Sequence, residues 1–171
     1  LSFVDGTSSV VLDSTYKEYV FTFNNMHPSS DANKFGFQGS TNTGSSYGVT
    51  VTTTSFYAGH LENDADTEMS YSASYDLAQS TDFIFHAGYD LIGSDNDQAL
   101  SGYMRLFNPS STTFVKHWIY QTNHSSNDNG SANIFGAGYF NTTSAIDAIQ
   151  FKMSANNIDT GTIKLYGIKD S

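Results

Sequence analysis

The sequence predicts an all-β protein, an antiparallel β-sandwich with a jelly-roll-like arrangement of strands. Aromatic residues, which β-strands favour, make up 15% of the 171 residues. Apolar and polar residues alternate with a period of two in most apolar segments, and turn-forming residues separate these segments at short intervals. Strands do not alternate with long helical patterns, which argues against a parallel sheet with crossover helices.

Ten segments carry the strand pattern. In chain order they are residues 15–24, 34–39, 47–58, 69–77, 82–89, 99–108, 112–121, 133–140, 145–154 and 161–169. The first places Tyr19, Phe21 and Phe23 on one face, as a strand with one buried side requires. Residues typical of turns, such as HPSSDAN at 27–33, fill several of the gaps. No linker or charge block divides the chain, so we expect residues 1–171 to form a single domain.

Charge and composition restrict the partners. The chain has 17 acidic and 7 basic residues, which gives a formal net charge of −10. Nucleic acids and anionic membranes repel such a protein, because binding to them depends on neutralising phosphates. No apolar run approaches the roughly 20 residues that span a bilayer. The chain has no cysteine, which excludes disulfides and thiolate chemistry. We therefore expect neither a nucleic acid nor a membrane as a partner.

The segment ENDADTE, residues 62–68, has a carboxylate at every second position. These residues are Glu62, Asp64, Asp66 and Glu68. Polar or small residues lie between them, so neither face of a strand formed by this segment would fit a core. A catalytic carboxyl group with a raised pKa needs a dry pocket, which a segment this hydrophilic does not provide. We predict an acidic hairpin loop between two strands. Calcium binding by this loop, or by Asp95 and Asp97, remains an open alternative because calcium prefers oxygen ligands.

Sequence motifs of common enzymes are absent. The five histidines do not have the HExxH spacing of a zinc site, and neither a G-x-S-x-G motif nor a phosphate-binding glycine loop is present. We therefore expect a non-enzymatic protein that needs no cofactor and has no metal site.

The two strand segments around the NPSS turn, residues 108–111, provide the candidate binding surface. If Phe107 pairs with Thr112 across this turn, seven notable residues share one face: Tyr103, Arg105, Phe107, Phe114, Lys116, Trp118 and Tyr120. The residues predicted to face the core are then Met104, Leu106, Val115, His117 and Ile119. Three interpretations of the first face remain open. It is a second packed layer with the two basic residues at its margin, a subunit interface, or a platform on which aromatic rings bind glycans.

Three segments together carry a family resemblance. They are TYKEYVFTFNNMHPSSD at 15–31, SGYMRLFNPSSTTFVKHW at 101–118, and AIDAIQFKMSANNIDTGTIKLYGIK at 145–169. The most distinctive parts are the opening strand followed by His-Pro and the closing pattern G-x-I-x-L-Y-G-I. In these parts the chain resembles a module of virion structural proteins of aquatic tailed bacteriophages, cyanophages in particular. It departs from the module at Ala155-Asn156, where Ser-Gly is usual, and this alters the chemistry of one turn.

The resemblance implies a jelly-roll-like viral structural protein without catalytic or metal-binding residues. We expect it to be located in the virion, as a capsid decoration or cement protein or as the head of a tail fibre. Its partners would be other capsid or tail proteins and further copies of itself, for example in a trimer. The alternative is a receptor-binding module of the tail that recognises glycans on the host surface.

Overall fold

The structure is a computed structural model that describes residues 1–170, which form eleven β-strands and no helix. The strands are β1 (Ser2–Val4), β2 (Glu18–Pro28), β3 (Phe35–Ser40), β4 (Val51–Leu61), β5 (Thr67–Tyr71), β6 (Ile84–His86), β7 (Leu100–Phe107), β8 (Lys116–Ser125), β9 (Gly130–Phe140), β10 (Ala148–Met153) and β11 (Ile158–Ile168). Each of the ten predicted segments overlaps one strand. The additional strand is β1, whose three residues are too few to show a period.

The strands form two antiparallel sheets. The small sheet has the order β1-β10-β3-β6, and the large sheet has the order β11-β2-β7-β8-β9-β4-β5. Without the β7–β8 hairpin and β11, two four-stranded sheets remain, β1-β10-β3-β6 and β2-β9-β4-β5, which is the strand order of a jelly roll. The predicted antiparallel, jelly-roll-like sandwich is therefore confirmed. The inserted hairpin and the final strand widen one sheet to seven strands.

Phenylalanine rings fill the space between the two sheets. Phe21 and Phe23 of β2 meet Phe151 of β10 at centroid distances of 5.2 and 5.3 Å, in edge-to-face geometry. Phe35 of β3 lies 5.0 Å from Phe23. Burying each such ring contributes about 1.5–3 kcal/mol, and edge-to-face pairs add to this. The core thus consists of the apolar residues that alternate with polar ones along each strand and face the opposite sheet. None of the described residues forms a helix long and apolar enough to cross a membrane.

Candidate contact face

The pairing of β7 with β8 determines which side chains share a surface. Leu106 lies opposite Trp118, and Met104 lies opposite Tyr120. Residues 108–115 connect the two strands, instead of a tight turn at 108–111. The predicted pairing of Phe107 with Thr112 is therefore wrong, and it differs from the true register by an odd number of residues. Such a shift moves every side chain of β8 to the other face of the sheet.

Three predicted members of the surface are consequently part of the core. Lys116, Trp118 and Tyr120 are 0%, 1% and 4% exposed. The Trp118 ring lies 5.0 Å from Phe37 of the small sheet, edge to face. The Lys116 ammonium group donates a hydrogen bond to the carbonyl of Thr142 at 3.0 Å, and burial lowers the pKa of this lysine. Conversely, His117 and Ile119, which the sequence placed in the core, are exposed.

The other predicted members lie in two places. Tyr103, Arg105 and Phe107 share the outer face of the large sheet, and the Arg105 Nε lies 2.9 Å from a carboxylate oxygen of Glu18. Phe114 lies in the connection 108–115, where its side chain is 69% exposed, and it does not belong to a strand. The structure thus brings together three of the seven predicted residues on one exposed surface.

Two rows of side chains run across the outer face of the large sheet. The first row consists of residues that lie opposite one another on all seven strands: Lys164, Thr22, Tyr103, Gln121, Phe135, Phe56 and Tyr71. The adjacent row consists of Tyr166, Val20, Arg105, Ile119, Ala137 and Thr54. We call these thirteen residues the contact face. It extends over all seven strands of the large sheet.

The contact face is aromatic and almost free of carboxylates. Five of the nine large hydrophobic side chains exposed in residues 1–170 belong to it: Phe56, Tyr71, Tyr103, Ile119 and Tyr166. The rings of Phe56 and Phe135 are stacked, with centroids 4.9 Å apart and planes inclined by 7°. Beside them, the Tyr103 hydroxyl donates a hydrogen bond to the Gln121 side-chain oxygen at 3.3 Å. Glu18 borders the face and is paired with Arg105.

Sequence reasoning missed Phe56, Tyr71 and Phe135. In β9, apolar residues alternate with Gly136 and Gly138, which would suggest that Phe135 faces inward. The opposite holds, because the glycines lie beneath buried rings: a Cβ at Gly136 would come within 2.2 Å of Tyr120, and one at Gly138 within 2.6 Å of Trp118. The sequence signal for this arrangement was the alternation of Gly136 and Gly138 in β9, which matches the alternation of Trp118 and Tyr120 in the neighbouring β8.

Residues 62–66 form the predicted hairpin connection between β4 and β5, and the last two residues of the segment, Thr67 and Glu68, begin β5. Its carboxylates accept hydrogen bonds from neighbouring tyrosines, with Tyr89 donating to Asp66 at 3.0 Å and Tyr57 to Glu68 at 2.9 Å. His60 lies 3.0 Å from Asp64. Among residues 1–170, no three acidic or histidine side chains are grouped closely enough to hold a metal ion. Asp66 and Glu68 therefore position the Tyr89 and Tyr57 side chains at this end of the sheet by hydrogen bonds.

Two histidines are buried inside the sandwich, His86 on β6 and His124 on β8. The His86 ring stacks on Tyr120 with centroids 3.8 Å apart. No ring nitrogen of either histidine has a hydrogen-bond partner in the described part of the chain. Burial lowers the pKa of His86 to about 3, helped by repulsion from His124, and lowers the pKa of His124 to about 4. Both rings are therefore neutral at pH 7 and pack as core aromatics.

Comparisons with known proteins assign no family to the chain. No protein-family model matches the chain, and no curated protein matches it. One solved structure, a protein of unknown function from Bacteroides ovatus, is similar over 62% of this chain with 6% sequence identity and a TM-score of 0.32. The aligned region spans 45% of that protein.

Proposed function

We propose that this chain is a non-enzymatic structural protein of a bacteriophage virion, exposed on the particle as a capsid decoration or cement protein or as a fibre head. The observation that carries the proposal is the contact face, a broad aromatic surface on a strongly acidic chain. The resemblance of three of its segments to phage virion modules is the reason for proposing a location in the virion. In this role the protein binds its neighbours through the contact face and displays its acidic loops to solvent.

The chemistry of the contact face supports a role in assembly. Aromatic residues and arginine are enriched where proteins bind one another, whereas lysine, glutamate and aspartate are depleted. The contact face largely follows this composition, with five aromatic residues, one arginine, one lysine and no carboxylate. Contiguous exposed apolar patches are uncommon on monomeric proteins and mark sites of interaction. A protein that functions alone in water would gain solubility from charged residues at these positions.

Immunogold electron microscopy of intact phage particles tests the proposal. We expect antibody raised against residues 1–171 to label the head, which indicates a decoration or cement protein, or the tail fibres. Pre-immune serum on the same particles provides the control. Absence of label on every part of the particle, with the antibody reacting with the purified chain, would contradict a virion role.

Recognition of host surface glycans is the second candidate function. It is favoured by the polar groups beside the rings, since the Tyr103 hydroxyl and the Gln121 amide lie next to Phe135. Glycan sites combine apolar rings with a few polar groups that fix orientation. If the contact face recognises glycans, calorimetric titration with host surface polysaccharide detects binding. Tyr103→Phe lowers the affinity for the polysaccharide, whereas Tyr166→Phe, in the other row, leaves this affinity unchanged. Equal affinities for the two variants would contradict a glycan site at Tyr103.

A further inference from the structure

We infer that the contact face binds the contact face of a second copy of this chain, about a twofold axis. The inference rests on the part of the proposed function that makes this surface an assembly surface, and it names the neighbour. It does not depend on where the protein is located in the virion.

The orientation of the central rings favours a protein partner over a sugar. The 4.9 Å between the Phe56 and Phe135 centroids equals the spacing of about 4.8 Å between neighbouring strands, and the rings are nearly parallel. Rings stacked in this way stand upright on the sheet and present their edges to solvent. A pyranose stacks on a flat ring face, whereas a ridge of upright rings fits between the side chains of another protein surface.

Charge repulsion restricts which surfaces of two copies can bind each other. Each copy has a formal charge of −10, so surfaces that carry carboxylates repel one another. The contact face has none of the 17 carboxylates of the chain. Two carboxylates border it: Glu18 is paired with Arg105 at 2.9 Å, and Asp76 accepts a hydrogen bond from the Tyr71 hydroxyl at 2.7 Å. Two copies therefore oppose fewer carboxylates when they approach through this surface than when they approach through the acidic loops.

The size of the surface suits a stable dimer. Seven strands spaced by about 4.8 Å give a width of about 29 Å, and strands of roughly eight residues give a length of about 27 Å. The product, roughly 800 Å² for each copy, is the area of the whole outer face of the large sheet. It matches the usual area that each partner buries in a specific interface, so the dimer contact extends beyond the two rows of the contact face. A surface that binds itself forms a closed, isologous contact, which implies a twofold axis and a dimer.

The first test compares two matched variants of the full chain. We expect light scattering behind size-exclusion chromatography to give the wild type twice the 18.7 kDa chain mass at micromolar concentration. Phe56→Glu places a carboxylate in the ridge and should weaken association at least ~tenfold, because like charges are opposed in a desolvated interface. Phe114→Glu makes the same change at an exposed aromatic outside the contact face and should leave the dimer intact. Circular dichroism checks that both variants are folded.

A second test uses charge complementation at Gln121, on the middle strand of the large sheet. Gln121→Glu and Gln121→Lys should each weaken self-association, and an equimolar mixture should associate more tightly than either variant alone.

Several results would overturn the inference. A wild type that stays monomeric, or a mass of three chains, excludes the twofold dimer. Equal effects of Phe56→Glu and Phe114→Glu, or a mixture of Gln121 variants no tighter than its components, excludes this surface as the dimer interface. A monomeric wild type that labels phage particles would retain the proposed virion role and assign the contact face to another virion protein. A monomeric wild type that binds polysaccharide would favour the glycan candidate.

Discussion

The outer faces of the two sheets differ in how far the rest of the chain covers them. On the small sheet, residues 81–85 cover the outer face at β3, whereas the side chains of the contact face on the large sheet are partly or largely exposed. Gln38 of β3 points outward from its sheet and is nevertheless 0% exposed. Gln121, an outward-pointing glutamine of the large sheet, is partly exposed.

Hydrogen bonds and a cation–π contact hold residues 81–85 against the outer face of the small sheet. The Gln38 amide group donates hydrogen bonds to the carbonyls of Thr81 and Asp82 at 3.2 and 2.8 Å, and its oxygen accepts one from the Gly39 amide at 2.7 Å. The Lys152 ammonium group lies 3.9 Å from the centre of the Phe83 ring. Gly36 leaves room for Phe85, since a Cβ there would come within 2.5 Å of this ring.

This difference bears on the proposed role of the contact face. The chain covers β3 on one outer face with its own residues, and the aromatic surface left exposed on the other sheet supports the proposal that a partner binds there. Three pairs of matched substitutions follow. The first compares the interior with the outer face of the large sheet, and the other two compare the outer faces of the two sheets.

The largest expected effect comes from the histidines enclosed between the sheets. The pKa of His86 is about 3 and that of His124 about 4 in the folded protein, both below the ordinary value of 6.5. As the pH falls below about 6.5, the unfolded chain binds protons that the folded chain does not, so the free energy of unfolding decreases. Each histidine contributes up to about 1.4 kcal/mol per pH unit, and the stability they provide is fully present only above pH 6.5.

Urea unfolding between pH 7 and pH 4 measures this dependence. His86→Phe, which places another ring beside Phe23, Phe35 and Phe37, should remove about half of the histidine contribution to the slope. His117→Phe, at an exposed position on the large sheet, should leave the slope almost unchanged. Identical slopes for the two variants would show that the enclosed rings are not protected from protons.

The second effect compares two glutamines on the two outer faces. Gln38→Ala leaves the carbonyls of Thr81 and Asp82 and the Gly39 amide without their partner, so we expect a loss of about 1–3 kcal/mol in the free energy of unfolding. Gln121→Ala, on the contact face, should change it by at most about 0.5 kcal/mol. Thermal or urea unfolding of the monomeric protein distinguishes the two. Equal losses would mean that the outer face of the small sheet is not specifically covered.

The smallest effect compares two lysines. Lys152→Gln removes the cation–π contact with Phe83 and should cost about 0.5–1 kcal/mol, as is typical of exposed pairs. Lys164→Gln, on the outer face of the large sheet, should have almost no effect on stability. A double variant with Phe83→Leu isolates the contact, because the cost of Lys152→Gln should vanish once the ring is absent.

The sequence by itself determined the fold class and most of the core. The period-two alternation of Tyr19, Phe21 and Phe23 and of Ile149, Phe151 and Met153 predicted their burial correctly, because a strand with one solvated face has no other way to hide apolar side chains. The hydrophilic segment 62–68 was likewise identified as a hairpin loop, since its residues fit neither face of a strand in a core.

Only the tertiary structure decided which face of β8 points outward. The answer depends on the length of the connection 108–115, and a shift by an odd number of residues exchanges Trp118 and Tyr120 with His117 and Ile119. The contact face is equally a product of tertiary structure. Its first row joins residues from seven strands, most of them far apart in sequence. Phe135 faces outward because the Tyr120 and Trp118 rings occupy the inner side of β9 at Gly136 and Gly138. Sequence patterns determine how each strand alternates, whereas packing against neighbouring strands determines which half of the alternation faces solvent.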